Sequence, residues 1–406
     1  MNEDRLRSLL REAPVPGGEE AERRGLRVLE SAFAERRPPR RAMLPRAALA
    51  LATAGLLAIL LLSPAGAAVR NWINDVFDEG VPNAEPALSR IPGGGRLAVS
   101  SAAGPWVVRP DGSRRLLGAY REASWSPHGL FLAAASGRTL TAVEPDGDPH
   151  WSVTAPGQVA DPRWSPSGLR IAYRSGRALR VVHADGSTDA QVDGSVAPLA
   201  PAWSPAGLDL LAYLDRDGRV VVADADGGKP LASAAALPGI MALQWGPRGE
   251  LLEASPAIAR LRQIKLEKLS GDVRLGSAKP LPRPGSGRIA EALLSPRGDT
   301  VALVRRLGGL AQTRTEVDLV DSDTGSVRRL FRTPGHLGEI AWSPDAKRLL
   351  ISWPQADQWL FVPTSGRGRL QALAGISQAF APGSPVASGP GAFPRISGWC
   401  CSAASP

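Results

Sequence analysis

Short apolar runs alternate with tight polar turns along most of this chain. In one representative unit, the apolar runs are separated by Ser136-Gly137-Arg138 and by Pro145-Asp146-Gly147. Runs of roughly 4–8 residues with Gly, Pro and Asp between them are typical of β-strands, and Asp-Gly suits a hairpin turn. The unit is therefore predicted to form antiparallel strands at residues 130–135, 139–144, 150–153 and 159–164.

A five-residue marker, Trp-Ser-Pro-x-Gly, separates one unit from the next. It begins at Trp125, Trp164 and Trp203, and variants of it begin at Trp245, Leu294 and Trp342. Successive markers lie 39, 39, 42, 49 and 48 residues apart. A period of about 40–50 residues with strands in between indicates a β-propeller or a similar array.

The two ends of the repeat set the number of blades. A degenerate marker begins at Ile91, and the last strand ends at Trp399. Eight markers bound seven intervals, so the fold class is predicted as all-β, a seven-bladed β-propeller, with six or eight blades as alternatives. An open propeller would expose sheet edges, so the strand ending at Trp399 is expected to complete the first blade beside Leu97.

The repetition of the marker argues for a structural role. Each Trp is expected to end a strand and to pack between neighbouring blades, while Pro and Gly shape the turn that follows. The marker residues proposed on this basis are Trp125, Trp164, Trp203, Trp245, Trp342 and Trp399.

Residues 47–69 contain no charged side chain, and this length suffices for a helix that crosses a hydrocarbon core of about 30 Å. Arginines precede the segment and acidic residues follow it, which predicts a cytoplasmic N-terminus and an extracytoplasmic propeller. The alternative is a cleaved signal peptide, because Ala65-Gly66-Ala67 fits a cleavage site. The anchor residues proposed are Arg41, Arg46, Leu49, Leu56 and Leu60.

Two further segments carry apolar stripes at helical spacing. Within residues 19–37, Leu26, Leu29 and Phe33 either belong to a solvated tail or dock a cytosolic regulator. In residues 69–77, a stripe that includes Trp72 lies either in the membrane interface or against the propeller. The predicted division is 1–46 cytosolic helical segment, 47–69 transmembrane helix, 70–90 juxtamembrane helix and linker, 91–400 propeller and 401–406 tail.

Composition adds mainly exclusions. The net charge of +9 is diffuse, so no nucleic-acid partner is predicted, and four His residues leave little material for a metal site. Cys400 and Cys401 are adjacent, so they form a vicinal disulfide, a reactive thiol pair or inert thiols in a closing strand. No Gly-x-Ser-x-Gly elbow or phosphate-binding loop occurs, so the chain is predicted to be no enzyme and to hold no cofactor.

The Trp-Ser-Pro-x-Gly pattern, followed by an apolar strand and an Asp-Gly turn, resembles the TolB-like (WD-like, PD40-type) β-propeller repeat over residues 91–399. The resemblance implies an extracytoplasmic propeller that binds proteins or ligands. The layout is similar to transmembrane regulators, including anti-sigma-like proteins, although residues 1–46 contain no His or Cys for their zinc motif.

The function expected is therefore a single-pass, membrane-anchored binding module. Its partner would be a protein, a peptide or a cell-envelope ligand on one propeller face, and residues 19–37 would signal to a cytosolic regulator. The alternative function is a propeller hydrolase or lactonase with an axial-channel site.

Overall fold

The computed structural model describes residues 90–401, with gaps at 206, 267–271, 284, 310–312, 367 and 381–392. The predicted cytosolic helix, the membrane anchor and the juxtamembrane stripe therefore lie outside the described residues. Among the described residues, no helix is both long and apolar enough to span a membrane.

The described residues form seven antiparallel sheets of four strands each, which we number as blades 1–7. Blade 1 contains β1 (Arg96–Ser101), β2 (Gly104–Val108) and β3 (Arg114–Leu116). Blade 2 contains β4 (Glu122–Trp125), β5 (Leu132–Ser136), β6 (Thr139–Val143) and β7 (Pro149–Thr154). Blade 3 contains β8 (Val159–Trp164), β9 (Arg170–Ser175), β10 (Ala178–His183) and β11 (Ala190–Asp193). Blades 4 and 5 contain β12 (Ala202–Trp203), β13 (Leu210–Leu214), β14 (Arg219–Asp224), β15 (Pro230–Ala235); and β16 (Ala242–Trp245), β17 (Glu250–Ala254), β18 (Ala259–Leu266), β19 (Val273–Pro280).

Blades 6 and 7 contain β20 (Arg288–Leu294), β21 (Thr300–Leu307), β22 (Arg314–Asp321), β23 (Val327–Pro334); and β24 (Ile340–Trp342), β25 (Arg348–Trp353), β26 (Gln358–Pro363), β27 (Gln371–Ala374). A 3₁₀ turn (Pro354–Ala356) and a short helix α1 (Ile376–Ala379) interrupt blade 7 and the connection after it. The last strand, β28 (Arg395–Cys400), returns to blade 1.

The ring closes through β28. This strand pairs with β1, with Leu97 opposite Trp399 and Arg96 opposite Cys400. The first strand of each blade contacts the first strand of the next, and β28 contacts both β24 and β4. The predictions of seven blades and of closure beside Leu97 are both confirmed, and the two ends of the described chain are held together in one sheet.

The sequence unit and the blade are offset by one strand. Residues 159–164 form the fourth strand of the sequence unit, but in the fold they are β8, the first strand of blade 3. A second difference lies at the start of β5, which begins at Leu132 rather than at residue 130. Leu130 therefore lies in the loop, where its side chain is exposed.

The core lies between the blades. In β14, Val220 and Val222 pack toward blade 5, whereas Val221 and Ala223 pack toward blade 3. Side chains on a strand alternate between faces, so a sheet covered on both faces requires an unbroken apolar run. The sequence of β14, with three consecutive valines, meets that requirement.

Candidate binding face

The antiparallel sheets place the loops on two opposite faces. One face holds the marker loops, which join the first and second strands of each blade, and the Asp-Gly turns, which join the third and fourth. We call it the marker face. The loops between the second and third strands, and those between blades, form the opposite face.

Hydrogen bonds build each marker loop from its own residues. In blade 3, the Ser165 amide donates to the Arg170 carbonyl oxygen at 2.8 Å, and the Gly168 amide donates to the Ser165 carbonyl oxygen at 2.9 Å. Gly168 has φ +75°, a left-handed conformation that suits glycine. The turn thus requires the marker residues for its shape.

The marker tryptophans are distributed around the ring and link neighbouring blades. The indole Nε1 of Trp203 donates to the carbonyl oxygen of Arg163 at 2.8 Å, and that of Trp342 donates to the carbonyl oxygen of Leu293 at 3.1 Å. Trp399, in blade 1, donates from Nε1 to the Gly94 carbonyl oxygen of the same blade at 2.9 Å and packs on Phe361 of blade 7 with ring centroids 5.5 Å apart. The remaining three, Trp125, Trp164 and Trp245, also end first strands, so the six do not converge on one site.

Three exposed leucines occupy the marker loops of consecutive blades. Leu130 is 65% exposed, Leu169 is 62% exposed and Leu208 is 41% exposed. Each directly follows the marker glycine. In blade 2 the Ser126 amide donates to Phe131, so the loop closes one residue after Leu130 and leaves its side chain at the tip. We call Leu130, Leu169 and Leu208 the leucine row.

The loops that carry the leucine row contact one another. A Cβ atom on Gly168 would lie 3.6 Å from Pro127 Cγ, which brings the loops of blades 2 and 3 together. Arg170 joins blades 3 and 4 through Asp209, at 3.0 Å, and Asp226, at 2.7 Å. The hydrogen bond to Asp226 raises the pKa of Arg170, so this link is charged at neutral pH.

Acidic side chains surround the leucine row. The marker-face segments of blades 2–4 are residues 126–131, 144–149, 165–170, 184–189, 204–209 and 224–229. Their acidic residues, which we call the acidic rim, are Glu144, Asp146, Asp148, Asp185, Asp189, Asp209, Asp224 and Asp226. Their basic residues are Arg170 and Lys229, with His128 as a further titratable group.

The corresponding loops of blades 5–7 are different. The residues after the fifth marker position are Glu250, which is buried, Asp299, which is half-buried, and Lys347, which is exposed, so no exposed apolar residue stands there. The blade 5 loop is also one residue shorter, because the Gly246 amide donates to the Glu250 carbonyl oxygen at 2.7 Å. The apolar surface is thus specific to one sector of the ring.

The marker face also holds a cavity of about 260 Å³ between blades 6 and 7, lined in part by Trp342. Two of its arginines already bind backbone carbonyl oxygens of blade 7. Arg297 donates to Asp345 at 2.9 Å, and Arg328 donates to Thr364. These contacts give both arginines a role in joining the blades.

Cys400 and Cys401 form a vicinal disulfide at the end of β28. Of the alternatives in the sequence analysis, the structure therefore shows the disulfide. Cys401 Sγ lies 3.6 Å from the Pro127 carbonyl oxygen, beside the marker loop of blade 2. The closing strand thus ends next to the leucine row.

Four blades carry an acidic residue near the end of the first strand that lies toward the opposite face. Each acid precedes the first residue of the marker by three positions; the four are Glu122, Asp161, Glu291 and Glu339. Glu122 accepts the Asp161 amide at 3.1 Å, and Glu291 accepts the Ile340 amide at 3.1 Å. Burial, reinforced by the negative charge of Glu339, raises the pKa of Glu291 to about 8. These acids therefore connect neighbouring blades.

The histidines do not join these acids in a metal site within the described chain, where no group of three or more His, Cys, Asp or Glu side chains could hold a metal ion. His128 is exposed on the marker face. His150 packs against Phe131 with ring centroids 5.0 Å apart. The sequence patterns did not predict the exposed leucines of the marker face. A leucine directly after the marker glycine in three successive units is the signal that could have indicated them.

No protein-family model matches the chain, and no curated protein matches it. Among solved structures, it is similar to the β-propeller domain of Cps50 (Swd1) from Myceliophteria thermophila, with 16% identity, 67% of this chain and 94% of that chain covered, and a TM-score of 0.52. It also matches the C-terminal WD40 domain of Sif2 (13% identity, 71% and 84% covered, TM-score 0.48) and hydrazine synthase of Kuenenia stuttgartiensis (16% identity, 60% and 76% covered, TM-score 0.46).

Of these three similarities, the first has a TM-score above 0.5, and at 16% identity it concerns the fold alone. Together with the seven closed sheets, it defines the class of protein: the chain folds as a WD40-like seven-bladed β-propeller.

Proposed function

We propose that this chain is a membrane-anchored, extracytoplasmic β-propeller that binds a protein partner through the leucine row. The observation that carries the proposal is the exposure of Leu130, Leu169 and Leu208 in three neighbouring loops of one face that contact one another. Contiguous exposed apolar side chains with a polar border are typical of protein interaction sites. The proposal therefore assigns the marker face of blades 2–4 as the contact surface.

The possible gain from covering the row is substantial. Full burial of an exposed leucine contributes about 1.5–3 kcal/mol, and these side chains are already partly buried. Burial of what is still exposed would contribute on the order of 1 kcal/mol each, or roughly a hundredfold in affinity for all three. This is enough to make the row the energetic centre of an interface.

The anchoring part of the proposal is supported by the uncharged segment 47–69 and by the arginines Arg41 and Arg46 before it. The resemblance to TolB-like repeats supports an extracytoplasmic propeller. A signalling version adds that Leu26, Leu29 and Phe33 dock a cytosolic regulator. Deletion of residues 1–41 would then abolish the downstream response while leaving partner binding outside the membrane intact; an unchanged response would refute the signalling version.

The binding proposal is tested in native membranes with the full chain. A photo-cross-linking amino acid at Ser167, inside the marker loop of blade 3, should capture a partner protein. The triple leucine variant, Leu130→Ser/Leu169→Ser/Leu208→Ser, should reduce that cross-link strongly. The matched control is Lys347→Ser, which changes an exposed residue at the same marker position of blade 7. Equal cross-linking in the wild type and the triple leucine variant would refute the assignment.

Within the described residues, no observation favours the alternative of a propeller hydrolase or lactonase. The half-buried Glu122 and Glu291 of the first strands accept hydrogen bonds from neighbouring blades, and His150 packs against Phe131.

A further inference from the structure

We infer that the partner of the leucine row presents large apolar side chains bordered by Lys and Arg. This inference rests on the proposed function and specifies the chemistry of its partner. It follows from the acidic rim, which lies in the same three blades and borders the loops of Leu169 and Leu208, whereas Arg96 donates to the Gly129 carbonyl oxygen beside Leu130.

The net charge of the acidic rim is negative, whereas that of the whole chain is positive. The rim contains eight acidic residues against Arg170 and Lys229, whereas the full sequence has a net charge of +9. Arg170 pairs with Asp209 and Asp226, and Arg180 pairs with Asp189, so three of the eight acids are engaged in ion pairs. In blades 5–7 the described marker-loop charges are mixed, with Arg248, Arg297 and Lys347 among the acids. The excess of acidic residues is thus greatest in the three blades that carry the leucine row.

The acids are held close to the leucines by the backbone. The Ala184 amide donates to the Leu169 carbonyl oxygen at 2.8 Å, which brings the turn of Asp185 beside Leu169. The Ala225 amide donates to the Asp209 carbonyl oxygen at 3.1 Å, which brings the turn of Asp226 beside the loop of Leu208. Each of these leucine loops therefore borders an acidic turn.

Asp185 is held in its ionised form by its own turn. Hydrogen bonds from the Ser187 hydroxyl, at 2.6 Å, and from the Ser187 amide, at 2.9 Å, lower the pKa of Asp185. A basic side chain of the partner would therefore meet a charged Asp185 without a prior proton exchange. Its association would also be electrostatically steered, and therefore sensitive to salt.

The same charge argues against other occupants. An anionic membrane surface would be repelled by the rim. In a symmetric dimer through this face, the rim of one copy would meet the same rim of the other, which is also repulsive. A segment with leucine-like anchors and basic flanks satisfies both the apolar and the charged parts of the surface.

The test uses the full chain in nanodiscs of zwitterionic lipid and three fluorescent helical peptides of about 18 residues. The first has a leucine face bordered by lysines, the second has the same leucines bordered by glutamates, and the third keeps the lysines but has serine in place of leucine. Anisotropy is measured at low and at high salt, with empty nanodiscs as the blank. The leucine–lysine peptide should bind at least tenfold more tightly than either of the others.

Two variants separate the apolar and charged contributions. The triple leucine variant should lose binding at both salt concentrations. The double aspartate variant, Asp185→Asn/Asp226→Asn, should weaken binding roughly tenfold at low salt and much less at high salt, because salt screens exposed charges. Its matched control is Asp323→Asn/Asp345→Asn, which changes two marker-face aspartates of blades 6 and 7.

Each outcome has a defined meaning. Equal binding of the leucine–glutamate peptide, or binding unaffected by the double aspartate variant, would overturn the inference about partner chemistry. If the triple leucine variant still lost the partner cross-linked in native membranes, the proposed function would stand without this inference. If the triple leucine variant changed neither peptide binding nor cross-linking, both would fail.

Discussion

Replacement of Arg305 by Met would remove the buried cation that pairs with the carboxylates of Glu316 and Asp318 in the core of blade 6. The Arg305 side chain is fully buried in β21. It donates from Nε to Asp318 at 2.7 Å, from Nη2 to Glu316 at 2.9 Å, and from Nη1 to the Ser286 carbonyl oxygen at 2.9 Å. Arg305→Met removes all three donors but keeps most of the side-chain volume, so the effect is electrostatic rather than a cavity.

The magnitude follows from what is left behind. Removal of one partner from a buried ion pair costs about 3–5 kcal/mol, because the remaining charge is unsatisfied. Glu316 keeps two partly exposed cations, Arg329 at 3.1 Å and Arg314 at 3.5 Å, and Asp318 keeps Arg329 at 3.7 Å. We therefore expect the lower end of the range, about 3 kcal/mol, in the free energy of unfolding.

The assay is urea unfolding of the full chain, followed by near-ultraviolet circular dichroism from the tryptophans between the blades. A fully neutral variant, Arg305→Met/Glu316→Gln/Asp318→Asn, is the informative control, since it removes the two buried negative charges as well. It should recover a large part of the lost stability. A loss below about 1 kcal/mol for Arg305→Met, or no recovery in the neutral variant, would refute the reasoning.

Three further predictions concern pH, closure and surface. Between pH 4.5 and about 8, the unfolding free energy of the wild type should fall as pH rises, because the pKa of Glu291 is raised in the folded state and its ionisation favours unfolding. Glu291→Gln should reduce the dependence of the unfolding free energy on pH, as measured by urea titrations. An unchanged pH dependence would contradict this prediction. Trp399→Ala should lower the unfolding free energy by about 3–5 kcal/mol, since the indole packs on Phe361 at 5.5 Å and bonds to Gly94; a denaturation midpoint equal to that of the wild type would exclude an anchoring role. The triple leucine variant should change unfolding by only about 0.5 kcal/mol per site, because exposed positions contribute little; a large loss would show a core role instead.

The repeated blades could be predicted from the sequence because the markers recur at similar spacing along the chain. Markers about 40–50 residues apart implied repeated four-stranded sheets, and the physical need to cover edges implied that Trp399 returns to Leu97. Both predictions are confirmed by the sheets and by the pairing of β28 with β1. The predictions for residues 1–89 lie outside the described residues and stay predictions.

The surface was less accessible, because exposure depends on where a loop closes. The pattern placed Leu130 in a strand, as its apolar neighbours suggested, but the hydrogen bond between Ser126 and Phe131 ends the loop after it. The acidic rim combines segments that are far apart in sequence, and Arg305 meets Glu316 and Asp318 only through strand pairing. Such groupings arise from register and curvature, which a one-dimensional pattern does not encode.

The marker itself shows how a repeat can be both structural and selective. Its Trp and Gly meet requirements common to most blades, so they carry little information about any one partner. The residue after the fifth marker position varies more: it is Leu in blades 2–4 but Glu, Asp or Lys in blades 5–7. A ring of nearly equivalent blades therefore differs from one sector to another at this position. The leucines and the acidic rim occur in the same three blades, as the proposed single partner surface requires.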